Sequence, residues 1–352
     1  MMHLILLLGL LIASYFSSFQ AENPFLQYWE EHIGLPHPPH WLAAKASPLS
    51  PHQATVFLKL MEENELPFHL PSFCKQANIA CSKNALVKKI MDNPMLPPIA
   101  QSSAIKVIYD RVPSGSPLSI SRQGGLLFFR ESMVKQGGFM NITDLRDTMS
   151  YNSFLPRSLA SKIPFSLARI KELKKLFGVV DDSKMDEYIK DTLEICEKVW
   201  TPLLAKKNEK SPIRDEHSTC VTSTEDLIDF VVKKLGHRVS IWSTESIEGS
   251  YENVTIGGVK LMYGNLSESP ALCHSQPFPS QVYYCHILQR VKVYIVDIYA
   301  QKKVNHAIMT CHYDTSTWNP NHIAFKLLGF GPGLIEVCHW INKNGMVWTK
   351  TL

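Results

Sequence analysis

The chain has 352 residues, 45% of them hydrophobic and 19% charged, with a formal net charge of +4. That balance excludes a disordered chain, and a mild basic excess with no dense basic block makes nucleic acid a poor default partner. A loose attraction to an acidic matrix, screened by salt, fits the charge, and the length allows one large domain or two ordinary ones.

The chain opens "MMHLILLLGLLIASYFSSFQAENPF". The apolar run from Leu4 to Tyr15 is too short to span a bilayer, and small and polar residues follow it. It is read as a secretory signal peptide, residues 1–21, although its first residues lack Lys or Arg. No later segment reaches the length of a membrane span. The expected location is therefore secreted: secretory pathway, apoplast, cell wall or vacuole. Eight cysteines, Cys74, Cys81, Cys196, Cys220, Cys273, Cys285, Cys311 and Cys338, allow up to four disulfides in an oxidising compartment. Three N-x-S/T sequons, at Asn141, Asn253 and Asn265, are candidate glycosylation sites.

Residues 22–92 read as largely helical. "SPLSPHQATVFLKLMEEN" gives Ser-Pro punctuation and then an apolar stripe at helical spacing. Residues 93–125 read as a Pro/Ser/Gly-rich linker, in which "QSSAIKVIYD" is an ordinary β-edge or linker segment. From residue 126 a second domain runs to residue 352. It begins with helices: "SLARIKELKKLF" aligns Leu167, Ile170, Leu173 and Phe177, and "MDEYIKDTLEICEKVW" aligns Tyr188, Ile189, Leu193, Cys196 and Val199. "TSTEDLIDFVVKKLG" starts with a candidate capping box, Thr222 with Glu225, and stops at Gly236. Then come short β-rich runs: "RVSIWSTE", "NVTIGGVKLMY", "VKVYIVDIYA", "VNHAIMTCHYD", "IAFKLL", "LIEVCHW" and "MVWTK". The expected fold class is α+β: a helical N-terminal segment, then helices followed by an antiparallel sheet or sandwich, stabilised by disulfides.

Four Cys-His dipeptides fall in that β-rich half: Cys273-His274, Cys285-His286, Cys311-His312 and Cys338-His339. Adjacent strand residues point to opposite faces, so each dipeptide sends a thiol one way and an imidazole the other. His306, Ile308, Thr310 and His312 share one face, and Tyr284 lies on the His286 face. Three readings follow. One is zinc held by mixed Cys and His, which neighbouring strand residues satisfy poorly. Another divides the labour, Cys forming disulfides and His holding Cu(II), with zinc as second choice. The third is packed histidines beside structural disulfides. Asp314 is either a ligand-orienting group or a turn cap before Thr315 and Ser316. Tyr283 and Tyr284 are either channel-lining or packed strand aromatics. His306 is a spare ligand or, more simply, a core histidine. "GFGPG" (329–333) is no phosphate loop, because Pro332 lacks an N–H. Neither H-E-x-x-H nor G-x-S-x-G occurs.

The pairs are separated by 10, 24 and 25 residues. With "FFRESMVKQG", "SFLPRSLASKIPFS", "ICEKV" and "TCVTSTEDLIDF", this pattern resembles the plant BURP-domain family over about residues 126–352. The middle gap is slightly short of that family's. "NPFLQYWEEHIG", "KASPLS" and "CHYDTSTWNPNH" are similar to the subgroup of non-catalytic beta subunits of polygalacturonase, but this chain has a short linker where that subgroup has Phe-x-x-Tyr repeats. The resemblance implies copper on His274, His286, His312 and His339, and a Cys196–Cys220 disulfide. It implies two functions. One is that of the copper-dependent burpitide cyclases: oxidative macrocyclisation of a ribosomal peptide through a Tyr or Trp side chain, acting here on a separate precursor. The alternative is a non-catalytic cell-wall protein that binds or modulates polygalacturonase or pectin. Without the repeats, the expectation leans toward the cyclase.

Overall fold

The structure is a computed structural model that describes residues 24–81, 128–142, 145, 152–200, 218–245, 253–287, 289–300, 303–316, 318 and 320–351. The expected signal peptide, the 93–125 linker and "QSSAIKVIYD" lie outside the described residues. Among the described residues no helix is long and apolar enough to cross a membrane.

The N-terminal half is helical: α1 Pro24–His32, α2 His40–Ala43, α3 Pro51–Glu62, α4 Leu70–Gln76, α5 Arg157–Ala160, α6 Ile170–Phe177 and α7 Lys184–Trp200. α8 (Thr224–Leu235) and α9 (Ile323–Leu328) are set among the strands. Ser50 starts α3 by accepting from the Gln53 backbone N–H, while the Gln53 side chain accepts from the Ser50 N–H. The start of α8 differs from the expected box by one position. Ser223, not Thr222, is the cap, and it accepts from Asp226 N–H at 3.0 Å. The helix stops at Gly236, whose φ of +86° suits glycine. On α7 the expected stripe is buried at Tyr188, Ile189, Leu193 and Cys196, and the Val199 side chain lies outside the described set. One expected strand is helical: "IAFKLL" forms α9, capped by the His322 ring and closed by Gly329. A six-residue apolar run carries no period strong enough to separate strand from helix. "GFGPG" accordingly follows a helix instead of lying between strands.

Among the described residues, ten strands form two antiparallel sheets. The first has the order β1 (Phe139–Asn141), β4 (Asn253–Tyr263), β7 (Val291–Ala300), β8 (Lys303–His312), β9 (Val337–Ile341). The second has the order β2 (Ser218–Val221), β6 (Val282–Ile287), β5 (Ala271–Gln276), β10 (Met346–Lys350), β3 (Val239–Trp242). They meet face to face through one apolar layer: Val291, Val293, Ile308 and Ile341 from the first sheet against Leu272 and Val347 from the second. Each such fully buried aliphatic side chain contributes about 1.5–3 kcal/mol. The fold is therefore α+β with a β-sandwich.

The outer faces are covered. Phe129, Val134, Met140 and Ile142 pack on the first sheet with Val296, Met309 and Trp340. Glu131 fastens this cover: its carboxylate accepts from the phenols of Tyr294 and Tyr313. Burial and that contact push the Tyr294 hydroxyl up to about 12. Arg130 adds a two-pronged pair with Glu336, both bonds at 2.7 Å. The N-terminal helices and α8 cover the second sheet, with Trp29, Leu42, Leu227 and Val231 packed among Cys273, Tyr283 and Trp348.

Candidate metal centre

The register of the strands decides where the Cys-His pairs go. On β5 and β6, Cys273 lies directly opposite Cys285; on β8 and β9, Cys311 lies directly opposite Cys338. Both pairs are disulfide-bonded, as are Cys74–Cys81 and Cys196–Cys220. All eight cysteines are thus used, and a mixed thiolate-imidazole site is overturned. The two cross-strand disulfides lie in the clusters on the outer faces of the sandwich. Because side chains alternate, the adjoining histidines are turned inward, to the layer between the sheets.

There the four imidazoles come together as two pairs. His274 Nε2 lies 3.1 Å from His286 Nε2 within the second sheet, and His312 Nε2 lies 3.0 Å from His339 Nε2 within the first. The His274 and His339 rings, 5.7 Å apart, join the pairs across the sandwich. His286, His312 and His339 are buried and His274 is half-buried. Among the described residues no three His, Cys, Asp or Glu side chains close into a ready-made metal group; the set is two facing pairs.

Electrostatics keeps these rings neutral. Burial lowers the His286 pKa to about 3, with His339 adding to the shift, and lowers His339 to about 4. Burial and the neighbouring imidazoles hold His274 and His312 well below the usual range. His339 Nδ1 is 3.1 Å from the Trp340 carbonyl, which only accepts, so Nδ1 carries the proton and Nε2 presents its lone pair. That lone pair meets both the Thr310 hydroxyl at 3.1 Å and His312 Nε2. Two nitrogens about 3.0–3.1 Å apart can both lie at the ~2.0–2.1 Å of an imidazole–metal bond. A neutral, all-nitrogen donor set with inward lone pairs fits copper, and zinc as second choice.

Aromatic groups frame the set. Tyr284 stacks on His286 at 5.0 Å, Trp318 meets the His312 ring edge-on at 5.2 Å, and Phe128 touches the rings of both His322 and His339. Trp318, His322 and Phe128 are the neighbours that spacing alone does not assign, whereas strand alternation already sets Thr310 on the His312 face. Trp318 and His322 do fall inside "CHYDTSTWNPNH", where a motif match is the available signal. His322 Nδ1 accepts from Ala324 N–H, so it caps α9 and does not join the facing pairs. Tyr283 packs on the other face against Phe154 and donates to the Asn344 carbonyl at 2.7 Å. Asp314 accepts from the Ser316 N–H and hydroxyl, as a turn cap does. His306 pairs at 2.8 Å with Asp297 on the surface, away from the layer that holds the four imidazoles.

The BURP domain family matches residues 127–350, the span that contains both sheets and all four histidines. The chain belongs to the BURP family. It is 44% identical over 224 residues to the polygalacturonase-1 non-catalytic subunit beta of Solanum lycopersicum, covering 63% of this chain. It is 43% identical over the same length to polygalacturonase 1 beta-like protein 1 of Arabidopsis thaliana. The chain spans 34% of the length of each of these relatives. BURP domain-containing protein 16 of Oryza sativa subsp. japonica matches almost end to end, 32% identical over 343 residues, 96% of this chain and 91% of that protein.

Proposed function

We propose that this BURP protein is a secreted, non-catalytic cell-wall protein that docks on a polygalacturonase, with copper on His274, His286, His312 and His339 pinning the two sheets together. The observation that carries the reading is the 224-residue match to polygalacturonase non-catalytic subunits, equal in length to the BURP match at residues 127–350. A metal held by one pair from each sheet adds a cross-link between layers that otherwise share a small apolar core. In this role the protein's own residues do the work. The disulfides fix the strands, the Trp340 carbonyl fixes the His339 tautomer, and burial keeps the His286 and His339 lone pairs free of protons down to about pH 4.

The test has two arms. Isothermal titration of the secreted full chain with Cu(II) is expected to give saturable binding that weakens at least tenfold in His312→Ala or His274→Ala. Surface binding to a purified polygalacturonase is expected to give a saturable complex. Absence of a complex with every wall polygalacturonase tried removes the docking reading, whatever the metal arm gives.

A second reading is favoured by the aromatic frame: the chain acts as an oxidative peptide cyclase. Bound copper supplies one-electron redox chemistry. Trp318, Tyr284 and Phe128 would orient a Tyr or Trp side chain of a separate precursor beside the imidazoles. Incubating the copper-loaded protein with Tyr- and Trp-containing plant peptides in air should then produce a loss of two hydrogens in mass. That loss should vanish in His312→Ala. No product from an endogenous peptide pool at full copper occupancy leaves the first reading alone.

A further inference from the structure

We propose that an N-linked glycan on Asn141 lies across an exposed aromatic row of the first sheet and forms part of the folded structure. Along β1 the side chains alternate. Met140 and Ile142 are buried under the cover of the first sheet, while Phe139 and Asn141 point to the opposite face, where the Phe139 ring is open to solvent. Phe139 is 82% exposed, an unusual position for a phenylalanine on a strand. Register extends it into a row: Phe139 lies opposite Thr255, Thr255 opposite Tyr299, and Tyr299 opposite Val304. Tyr299 is 46% exposed and Val304 49%. The Tyr299 ring leans over Gly257, where a Cβ would fall 2.3 Å from it, so the missing side chain widens the strip. Phe139, Tyr299 and Val304 thus gather exposed apolar surface on one end of this face, with Thr255 between them.

The occupant is supplied by the chain itself. Asn141-Ile142-Thr143 is a sequon, and Asn141 follows Phe139 by two residues on the same face, about 7 Å along the strand. In the glycosylation step, Asn141 Nδ2 loses one proton and bonds to the anomeric carbon of a lipid-diphosphate-linked oligosaccharide, whose C–O bond to the diphosphate breaks. The first sugar ring then lies within reach of Phe139. Its C–H face carries the partial positive charge that the negative face of an aromatic ring attracts. The sequence supports the pairing: Phe139, Tyr251 and Tyr263 each stand two residues before a sequon asparagine. Tyr263 is already engaged, half-buried against the inter-sheet layer and donating to Glu268 at 3.1 Å. Tyr251 lies outside the described residues. Among the described residues, Phe139 is the one of these aromatics whose ring is open to solvent.

The test uses the full chain secreted from a eukaryotic host that makes high-mannose glycans. Glycopeptide mass spectrometry is expected to find Asn141 occupied. Occupancy of Asn253 or Asn265 serves as the internal control that the chain met the glycosylation machinery, so an empty Asn141 beside an occupied Asn265 overturns the proposal. Removing the sequon with Thr143→Ala, which keeps Asn141, is expected to lower Tm by about 2 °C when Phe139 is present, and by nothing in Phe139→Ala. Trimming to a single sugar should preserve the wild-type Tm. Hydroxyl-radical footprinting gives a second readout: Phe139 oxidation should rise at least twofold in Thr143→Ala. Equal Tm shifts in both backgrounds, with unchanged Phe139 oxidation, sink the idea.

Discussion

Trp29→Ala is expected to lower Tm by on the order of 10 °C, and a chain that begins at residue 126 is expected not to reach the native state at all. Trp29 is fully buried, its ring centroid 6.0 Å from that of Trp348 on β10, and its indole N–H donates to the Leu35 carbonyl at 3.0 Å. Truncating a buried aromatic costs about 3–5 kcal/mol, because the lost transfer energy and the cavity add. For a domain of this size each kcal/mol moves Tm by roughly 2–4 °C. The N-terminal segment is tied down elsewhere as well. Gly34 N–H donates to the His237 carbonyl at 2.7 Å, beyond the end of α8. Lys45 is buried, and its ammonium donates to Gln281 at 3.0 Å, just before β6. Leu49, Phe57, Leu66 and Phe73 share a cluster with Leu159, Phe177, Leu193 and Phe278. Removing residues 24–81 strips partners from two of the large clusters at once. Differential scanning calorimetry of Trp29→Ala, with the exposed Phe68→Ala as control, checks the first part. Far-UV circular dichroism and a single cooperative melt check the truncation. If residues 126–352 melt cooperatively at the wild-type temperature, the helical segment is only an appendage and this account fails.

Much of this was legible in the sequence, and particular residues show why. The period-2 rule placed thiol and imidazole on opposite faces of each Cys-His dipeptide, and the register of β5 with β6 and of β8 with β9 has that consequence. What spacing cannot give is which strands lie side by side. The order β2-β6-β5-β10-β3 brings β10, from the end of the chain, between β3 and β5, and only that pairing sets Trp348 beneath Trp29. The facing of His274 and His339 is likewise a product of sheet stacking, a long-range contact with no local signal. The short apolar run "IAFKLL" reads as a strand yet folds as α9, because six residues hold less than two helical turns and carry no decisive period. The Glu131 carboxylate was invisible for a different reason. An isolated Glu in "FFRESM" says nothing of the two phenols, 163 and 182 residues away, that grip it.

Acid should unfold the metal-free protein sooner than a protein of its composition would otherwise unfold, and the four inward imidazoles set the window. Each has a folded pKa depressed below the unfolded value of about 6.5, so the unfolded state binds more protons as pH falls. The sign follows: stability is fully present above pH 6.5 and is lost progressively below it, down to about 3 for His286 and about 4 for His339. Over that window each pH unit costs roughly 1.4 kcal/mol for every imidazole still held neutral. Four of them at pH 5.5 therefore cost about 5–6 kcal/mol, the lower end of an ordinary domain's stability. Copper changes the height of the curve, adding stability by mass action, and leaves its acid slope between pH 6.5 and 4.5 that of the chelated protein, because the folded imidazoles carry no proton in either state. The measurement is Tm against pH from 8 to 4.5, on chelator-treated and copper-saturated protein. The double variant His286→Gln, His339→Gln removes two of the titrating groups and is expected to halve the acid slope of the chelated protein, whatever it does to the Tm at pH 8. Glu336 is kept out of this window by Arg130, which holds its carboxyl below the usual range. An unchanged slope between pH 6.5 and 5 in the double variant would mean that the imidazoles are protonated in the folded state. A charged cluster of that kind could not present the lone pairs on which the copper reading depends.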